Sequence, residues 1–184
     1  MAGFRSITPS INVNTESGQL RTELLNTFTR LDGQLSLVPF KLGTTAGPVG
    51  NSAGAETDLS DTTVSQGTLA KSESSILLFA CGKTAANANS KTIRLFFGTT
   101  EIFTTGAVAL NGVDWTLQAE IVRTSDVSQV SWIQFFSTTA TLPQKVAVNT
   151  SSVDLAQNQS ITITGQGVAA SDVLLYYTKT LLLT

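Results

Sequence analysis

The chain has 184 residues, a formal net charge of −2, one cysteine and no histidine. Histidine is the usual general base and metal ligand near neutral pH, so its absence excludes Ser-His-Asp and Cys-His catalysis. A single cysteine excludes an internal disulfide and an ordinary structural zinc site. Lys and Arg total 11 against 13 acidic residues, a balance that predicts no nucleic-acid partner. We therefore expect a protein that is not an enzyme and has no cofactor or metal.

The sequence contains no obvious export or membrane segment. Residues 1–9 lack the apolar stretch of a secretory signal peptide. The most apolar tail, residues 173–183, is interrupted by Lys179 and has about half of the ~20 residues that a spanning helix needs. These features predict synthesis in a reducing cytoplasm and no contact with a membrane.

The first predicted element is one α-helix, from about residue 15 to residue 38. Asn14 or Thr15 can cap its N-terminus, and Pro39 ends it. Its apolar residues have the heptad spacing of a helix that packs against another helix. This seam consists of Leu24, Phe28, Leu31, Leu35 and Val38. Because an isolated helix of this length is marginal in water, its own domain, a second copy or another protein must bury the seam.

A segment rich in Gly, Pro and Ser follows over residues 43–61 and has no hydrophobic period of its own. It predicts a flexible linker between an N-terminal arm, residues 1–42, and a domain over residues 62–184. Such a linker lets the helix reach away from that domain. The sequence therefore favours self-association or docking of the seam over its burial in the same domain.

From residue 62 onward the pattern changes to β. Apolar residues alternate or form short runs, separated by turns rich in Asn, Ser and Gly, with no helical period among them. The segments that predict strands are 76–81, 93–97, 115–122, 130–136, 144–148, 161–163 and 172–183. About eight strands at this spacing favour an antiparallel β-sandwich of the jelly-roll type. Asn111-Gly112 is the strongest hairpin signal.

Two short motifs invite a chemical interpretation, and a structural interpretation is favoured for each. The run from Cys81 to Thr84 resembles the end of a phosphate-binding loop, but Leu77 stands where that loop needs glycine, and no helical pattern follows. We expect a strand end and turn there, with Cys81 a buried and inert thiol. Acidic side chains before the predicted domain could offer oxygens to calcium, but their spacing favours a solvated cluster. These acids are Glu56, Asp58 and Asp61.

Four aromatic residues could stack on sugar rings in a binding groove: Trp115, Trp132, Tyr176 and Tyr177. Both tryptophans lie on the apolar faces of their predicted strands, so we expect them in the core. Neighbouring residues of a strand point to opposite faces, and we therefore expect at most one of the two tyrosines to be exposed.

The order of these elements resembles that of small structural proteins of tailed bacteriophages. The arm from Gly18 to Asp32 looks like the short helices that open head-decoration, head-fibre and tail-fibre proteins. The C-terminal half is similar to their jelly-roll modules. The matching segments are Trp115 to Arg123 with the Ser/Thr turn after it, Ser160 to Gly165, and Asp172 to Tyr177.

This resemblance implies a virion component, commonly a homotrimer, made in the host cytoplasm and anchored on the particle at one end. Such a protein would decorate or cement the capsid, or form a fibre, with itself and other capsid or tail proteins as partners. The heptad seam would carry oligomerisation or anchoring. The alternative is a module at a virion tip that binds a receptor or carbohydrate on the host surface. No catalytic motif comes with the resemblance.

Overall fold

The computed structural model describes residues 40–138, 142 and 144–183, and this part of the chain is mainly β, as predicted. It contains ten strands and no helix. The strands are β1 (Phe40–Gly50), β2 (Thr57–Val64), β3 (Ser75–Thr84), β4 (Lys91–Phe97), β5 (Thr100–Thr104), β6 (Asp114–Ser125), β7 (Ser128–Ser137), β8 (Gln144–Ser151), β9 (Gln159–Gly167) and β10 (Val173–Leu183). The helix predicted over about 15–38 lies outside the described residues.

The strands form two antiparallel sheets in a sandwich-like arrangement. One sheet has six strands in the order β1-β10-β3-β6-β7-β8, and the other has four in the order β2-β9-β4-β5. The hairpins β4–β5, β6–β7 and β7–β8 stay within one sheet, whereas the other connections cross between the sheets. Sheet membership therefore alternates along much of the chain.

Inward-facing side chains of both sheets form one core. In β6, every second residue from Trp115 to Ile121 is buried, and Thr116, Gln118 and Glu120 between them face outward, as the alternation predicted. The Trp115 ring stacks on Phe135 of β7, with ring centroids 6.3 Å apart, and Phe135 stacks on Phe103 of β5 at 5.9 Å. This aromatic stack joins the two sheets, because β5 belongs to the four-stranded sheet and β6 and β7 to the six-stranded one.

The prediction of a flexible linker over residues 43–61 is wrong, because these residues contain most of β1 and the first half of β2. The glycines of β1 permit close approach of a neighbouring strand: a Cβ atom on Gly47 would lie 2.1 Å from the Leu175 carbonyl oxygen. Pro48 stands at a bulge of this edge strand, where proline is tolerated. The described β-domain thus begins with β1 and not at residue 62.

Strand β2 was also missed, since hydroxyl groups occupy part of its inward face. Ser60 Oγ lies 2.9 Å from Thr45 Oγ1 and 3.2 Å from Thr178 Oγ1. Thr178 Oγ1 also accepts a hydrogen bond of 3.0 Å from the Thr45 backbone N–H. The side of the sandwich where β1, β2 and β10 meet is therefore held by hydrogen bonds between hydroxyls, and the sequence of β2 lacks strict apolar alternation.

The opposite side of the sandwich is closed by side chains of β8. Lys145 Nζ donates a hydrogen bond to Thr104 O, and Asn149 Nδ2 donates one to Ile102 O. Both acceptors belong to β5, which is the edge strand of the four-stranded sheet. These contacts cover the backbone of an edge that would otherwise be open for pairing with another strand.

Asn111-Gly112 does not form the predicted hairpin. It lies in the loop 105–113, which joins β5 of one sheet to β6 of the other. Gly112 has the positive φ of 65° that this dipeptide favours, and its N–H donates a hydrogen bond of 3.0 Å to Ala85 O. The turn conformation expected of this dipeptide is present, but packing in the core determines which strands pair with β6.

Candidate functional site

The five seam residues predicted to carry oligomerisation lie outside the described residues, so the candidate site is built from the β-domain. This domain has two ends. Phe40 begins β1 at one end, which we call the arm end, where β1 pairs with the last residues of β10. Of the loops at the other end, four are described throughout, and we call these the tip loops. They are residues 51–56, 85–90, 105–113 and 168–172.

A network of hydrogen bonds around two buried side chains of opposite charge holds two of the tip loops together. The Asp172 carboxylate accepts hydrogen bonds from Asn87 Nδ2 at 2.7 Å, Asn89 Nδ2 at 3.0 Å and the Ala169 N–H at 2.8 Å. Lys91 Nζ donates to Asn87 Oδ1 at 2.7 Å and to the carbonyl oxygens of Asn87 and Asn89, both at 3.0 Å. Both charged side chains are fully buried. Together they fix loop 85–90 against loop 168–172.

This environment favours the charged form of Asp172 and disfavours that of Lys91. Burial by itself would raise the pKa of Asp172, but the hydrogen bonds from Asn87, Ala169 and Asn89, with the charge of Lys91, outweigh it and lower that pKa. Burial lowers the pKa of Lys91, and the Asp172 charge opposes this shift. The carboxylate is therefore a structural anion, and its hydrogen-bonding capacity is used in holding the loops.

The remaining two tip loops are fixed by amide and backbone hydrogen bonds. Asn51 Oδ1 accepts from the Val173 N–H at 2.7 Å, and Asn51 Nδ2 donates to Ala169 O at 3.1 Å. In loop 105–113, Val108 exchanges two backbone hydrogen bonds with Lys91, of 2.9 and 3.0 Å. All four loops are thus joined to one another, which makes the tip a preorganised surface.

The exposed surface of the tip consists of small, neutral residues. Glu56 is the one charged side chain exposed within these four loops, and it lies at their margin, paired with Arg94 at 3.0 Å. The exposed apolar residues are Ala53, Ala55, Ala86, Ala88, Ala107, Ala109, Val168, Ala169 and Ala170. Such a surface can make close van der Waals and backbone hydrogen-bond contacts, and it presents no exposed acid–base pair.

The arm end carries a groove of about 360 Å³ with Arg123 in its wall. Arg123 donates a hydrogen bond of 2.7 Å to Leu69 O and forms an ion pair with Asp126. Asp154 and Gln66 also line the groove. Arg123 joins loops 65–74 and 126–127, and its main effect is to fix the arm end.

The acidic residues considered for calcium are dispersed. Glu56 pairs with Arg94, which also contacts Glu101 at 3.1 Å, and Asp61 accepts a hydrogen bond of 2.9 Å from Thr162 Oγ1. Within the described part of the chain, no three Asp, Glu, His or Cys side chains come together as metal ligands would. In the same residues, no helix has the length and hydropathy needed to cross a membrane.

Two predictions about the six-stranded sheet need correction, and a third is confirmed. Cys81 is half-buried, since it shares the outer face of β3 with the exposed Phe79. Tyr176 and Tyr177 are both exposed, because a bulge of β10 between Leu175 and Tyr177 interrupts the alternation of faces. Lys83 and Thr84 end β3, as predicted for the motif that resembles a phosphate-binding loop.

Trp132 was predicted to be in the core but is 41% exposed, whereas Trp115 is buried as predicted. In β7 both alternating sets contain apolar residues, and the set that faces the core includes Gln129 and Ser131. Gln129 is accommodated because its Nε2 donates to Val153 O at 3.0 Å and its Oε1 accepts from Ser151 Oγ at 3.1 Å. The polar residues of the inward set therefore concealed which face of β7 is buried.

The comparisons with known proteins give no family for this chain. The sequence matches no protein-family profile and has no significant match among curated proteins. The function of this chain is therefore inferred from the geometry of the β-domain.

Proposed function

We propose that the chain is a non-enzymatic structural protein of a bacteriophage virion, which decorates or cements the capsid or forms a fibre through self-association. The observation that carries this proposal is the order of the strands. Without the β7–β8 hairpin, the two sheets read β1-β10-β3-β6 and β2-β9-β4-β5. Two four-stranded antiparallel sheets connected in this alternating way are typical of the jelly roll, which viral capsid and lectin domains use.

The positions of the chain end and the loops support an anchored and displayed molecule. Residues 1–39 of the predicted arm precede β1, which begins at the arm end, and the tip loops lie at the other end of the strands. In this proposal the arm anchors the protein to other capsid or tail proteins or forms a homotrimer, and the β-domain projects from the particle. Burial of the apolar seam between copies would supply the free energy.

Changing Phe28 and Leu31 to aspartate is expected to abolish the association that the seam supports, and particle attachment with it, because two buried charges at the seam cost far more than the contact can supply. The β-domain should keep its circular dichroism spectrum and its unfolding midpoint. Solution mass by sedimentation velocity, together with co-sedimentation with particles, measures the effect. The matched control changes Thr22 and Thr29 to aspartate, which adds the same charge off the seam. A seam variant with the wild-type mass and attachment would contradict the proposal.

The alternative is a module that binds a receptor or carbohydrate on the host surface, and the preorganised tip favours it. If the protein cements the capsid, the purified chain should not reduce adsorption of the phage to its host, even in large excess. If the tip binds the host, the chain should compete for adsorption, and changing the exposed Ala88 or Ala170 to glutamate should remove the competition. An adsorption assay with these two variants distinguishes the two functions.

A further inference from the structure

The outer face of the six-stranded sheet, which points away from the core, exposes several large apolar side chains. Phe79 of β3 is 43% exposed, Trp132 of β7 is 41% exposed and Val148 of β8 is 66% exposed. We call this surface the outer patch and define it as Leu77, Phe79, Trp132, Val146, Val148 and Leu181. Because soluble monomers rarely expose large contiguous apolar patches, this surface calls for an occupant.

The register of the strands divides the outer patch into two flanks. Leu181 of β10 lies opposite Leu77 of β3, and on the other flank Trp132 of β7 lies opposite Val148 of β8. A groove of about 210 Å³ lies between the flanks, across β3 and β6, and Glu120 of β6 lies opposite both Leu77 and Trp132. The outer patch therefore has two apolar flanks with a charged side chain between them.

Two charged side chains line this groove, and they have opposite signs: Lys179 and Glu120. Lys179 of β10 lies opposite Phe79 of β3, whereas Glu120 of β6 lies opposite Leu77 of β3. The two charges thus flank β3 on opposite sides, displaced along the strand by the distance from Leu77 to Phe79. One two-fold axis in the contact plane brings Lys179 of each copy to Glu120 of the other. It crosses β3 between Leu77 and Phe79 and is perpendicular to the line from Lys179 to Glu120.

We propose that the outer patch is an interface with a second copy of this chain, in which two six-stranded sheets pack face to face about such a two-fold axis. The outer face of the six-stranded sheet is large enough to form a standard protein–protein interface. Six strands spaced about 4.8 Å apart and about ten residues long cover roughly 900 Å². A standard protein–protein interface buries about 800 Å² on each partner.

The charges of Lys179 and Glu120 favour a second copy of this chain over an unrelated partner. One copy supplies both members of the ion pair, so a two-fold contact leaves neither charge of the groove facing an apolar surface. Lys179 and Glu120 form no salt bridge within the described chain, and Glu120 accepts one hydrogen bond, of 2.9 Å, from Ser75 Oγ. The inference goes beyond the proposed function, because it requires neither a virion nor the arm.

A charge exchange on the full-length chain tests the interface. The seam is first changed at Phe28 and Leu31 to aspartate, so that the association measured is the one through the outer patch. Glu120→Lys or Lys179→Glu alone makes both pairs of the dimer repulsive, and each should raise the dissociation constant at least tenfold. The double variant restores opposite charges and should return to within about threefold of the parent. Asp58→Lys, which makes the same charge change at an exposed position of β2 in the four-stranded sheet, is the control.

Trp132 gives an independent measurement. In the free chain Trp132 is exposed and Trp115 is buried, so acrylamide should quench only part of the fluorescence. Dimerisation should protect Trp132, and the quenchable fraction should therefore rise on dilution with the same midpoint as the mass. A parent chain that is monomeric at every concentration, or single variants that dimerise as well as the double variant, would overturn the proposal. A change in mass caused only by the seam substitutions would support the arm and reject the outer patch.

Discussion

Changing Asp172 to alanine is expected to lower the free energy of unfolding by about 3–5 kcal/mol, because it leaves Lys91 buried without its counter-charge. The Asn87 and Asn89 amides and the Ala169 N–H lose their acceptor in the same variant. Equilibrium unfolding in urea measures the loss. Asp114→Ala is the control, since that carboxylate is 69% exposed and reaches Lys83 only at 4.0 Å, and it should change stability by less than about 0.5 kcal/mol.

The same residue gives the stability a pH dependence of known sign. The pKa of Asp172 is lowered in the folded protein, so its contribution is fully present above the ordinary value of 3.8 and is lost as the pH falls through the folded pKa. The stability difference between the wild type and Asp172→Asn should therefore be constant near neutral pH and shrink below about pH 3.8. A difference that grows on acidification, or a small loss for Asp172→Ala, would show that the tip loops do not depend on this pair.

Changing Gly82 to alanine is expected to cost at least about 3 kcal/mol, at or above the upper end of what overpacking costs. A Cβ atom at this position would lie 2.0 Å from the Leu174 carbonyl oxygen and 2.5 Å from the Trp115 ring. Neither neighbour can yield easily, because one is backbone of β10 and the other stacks on Phe135. Urea unfolding gives the magnitude, and near-ultraviolet circular dichroism reports the displacement of Trp115.

The neighbouring residue supplies the control for Gly82. Cys81 is half-buried on the outer face of β3, and Cys81→Ala should cost less than about 1 kcal/mol. Equal losses for the two variants would mean that Trp115 does not pack against β3 as described. A large loss for Gly82→Ala alone would support the close approach of β3, β6 and β10.

The sequence predicted the strands whose inward faces are apolar and missed those whose inward faces are mixed. β6 was evident because Trp115, Leu117 and Ile121 alternate with polar residues. β1 was hidden because its glycines indicate flexibility when read alone, although Gly47 is required by the approach of Leu175. β2 was hidden because Ser60 and Thr62 occupy inward positions. Hydroxyls paired across the sandwich cannot be recognised from one strand at a time.

The tip could be predicted only in part. The run from Asn87 to Ser90 has turn chemistry, and the structure places a loop there. Its function as the partner of Asp172 depends on a contact across more than 80 residues, between Asn87 and Asp172. The signal available in the sequence was an acid directly before the apolar strand β10, where a charge is retained only if the fold satisfies it. Similarly, the polar Gln129 on the inward face of β7 concealed that the opposite face, which carries Trp132, is the exposed one.

The most direct test of the proposed function is quantitative mass spectrometry of gradient-purified virus particles from the culture in which this chain is produced. A structural protein of the virion should co-purify with intact particles in a fixed copy number, a multiple of its oligomer, and should remain after a high-salt wash. The seam variant with Phe28 and Leu31 changed to aspartate should be lost from the particles while accumulating in the infected cell. A chain found only in the soluble lysate, with no copies on washed particles, would contradict the account.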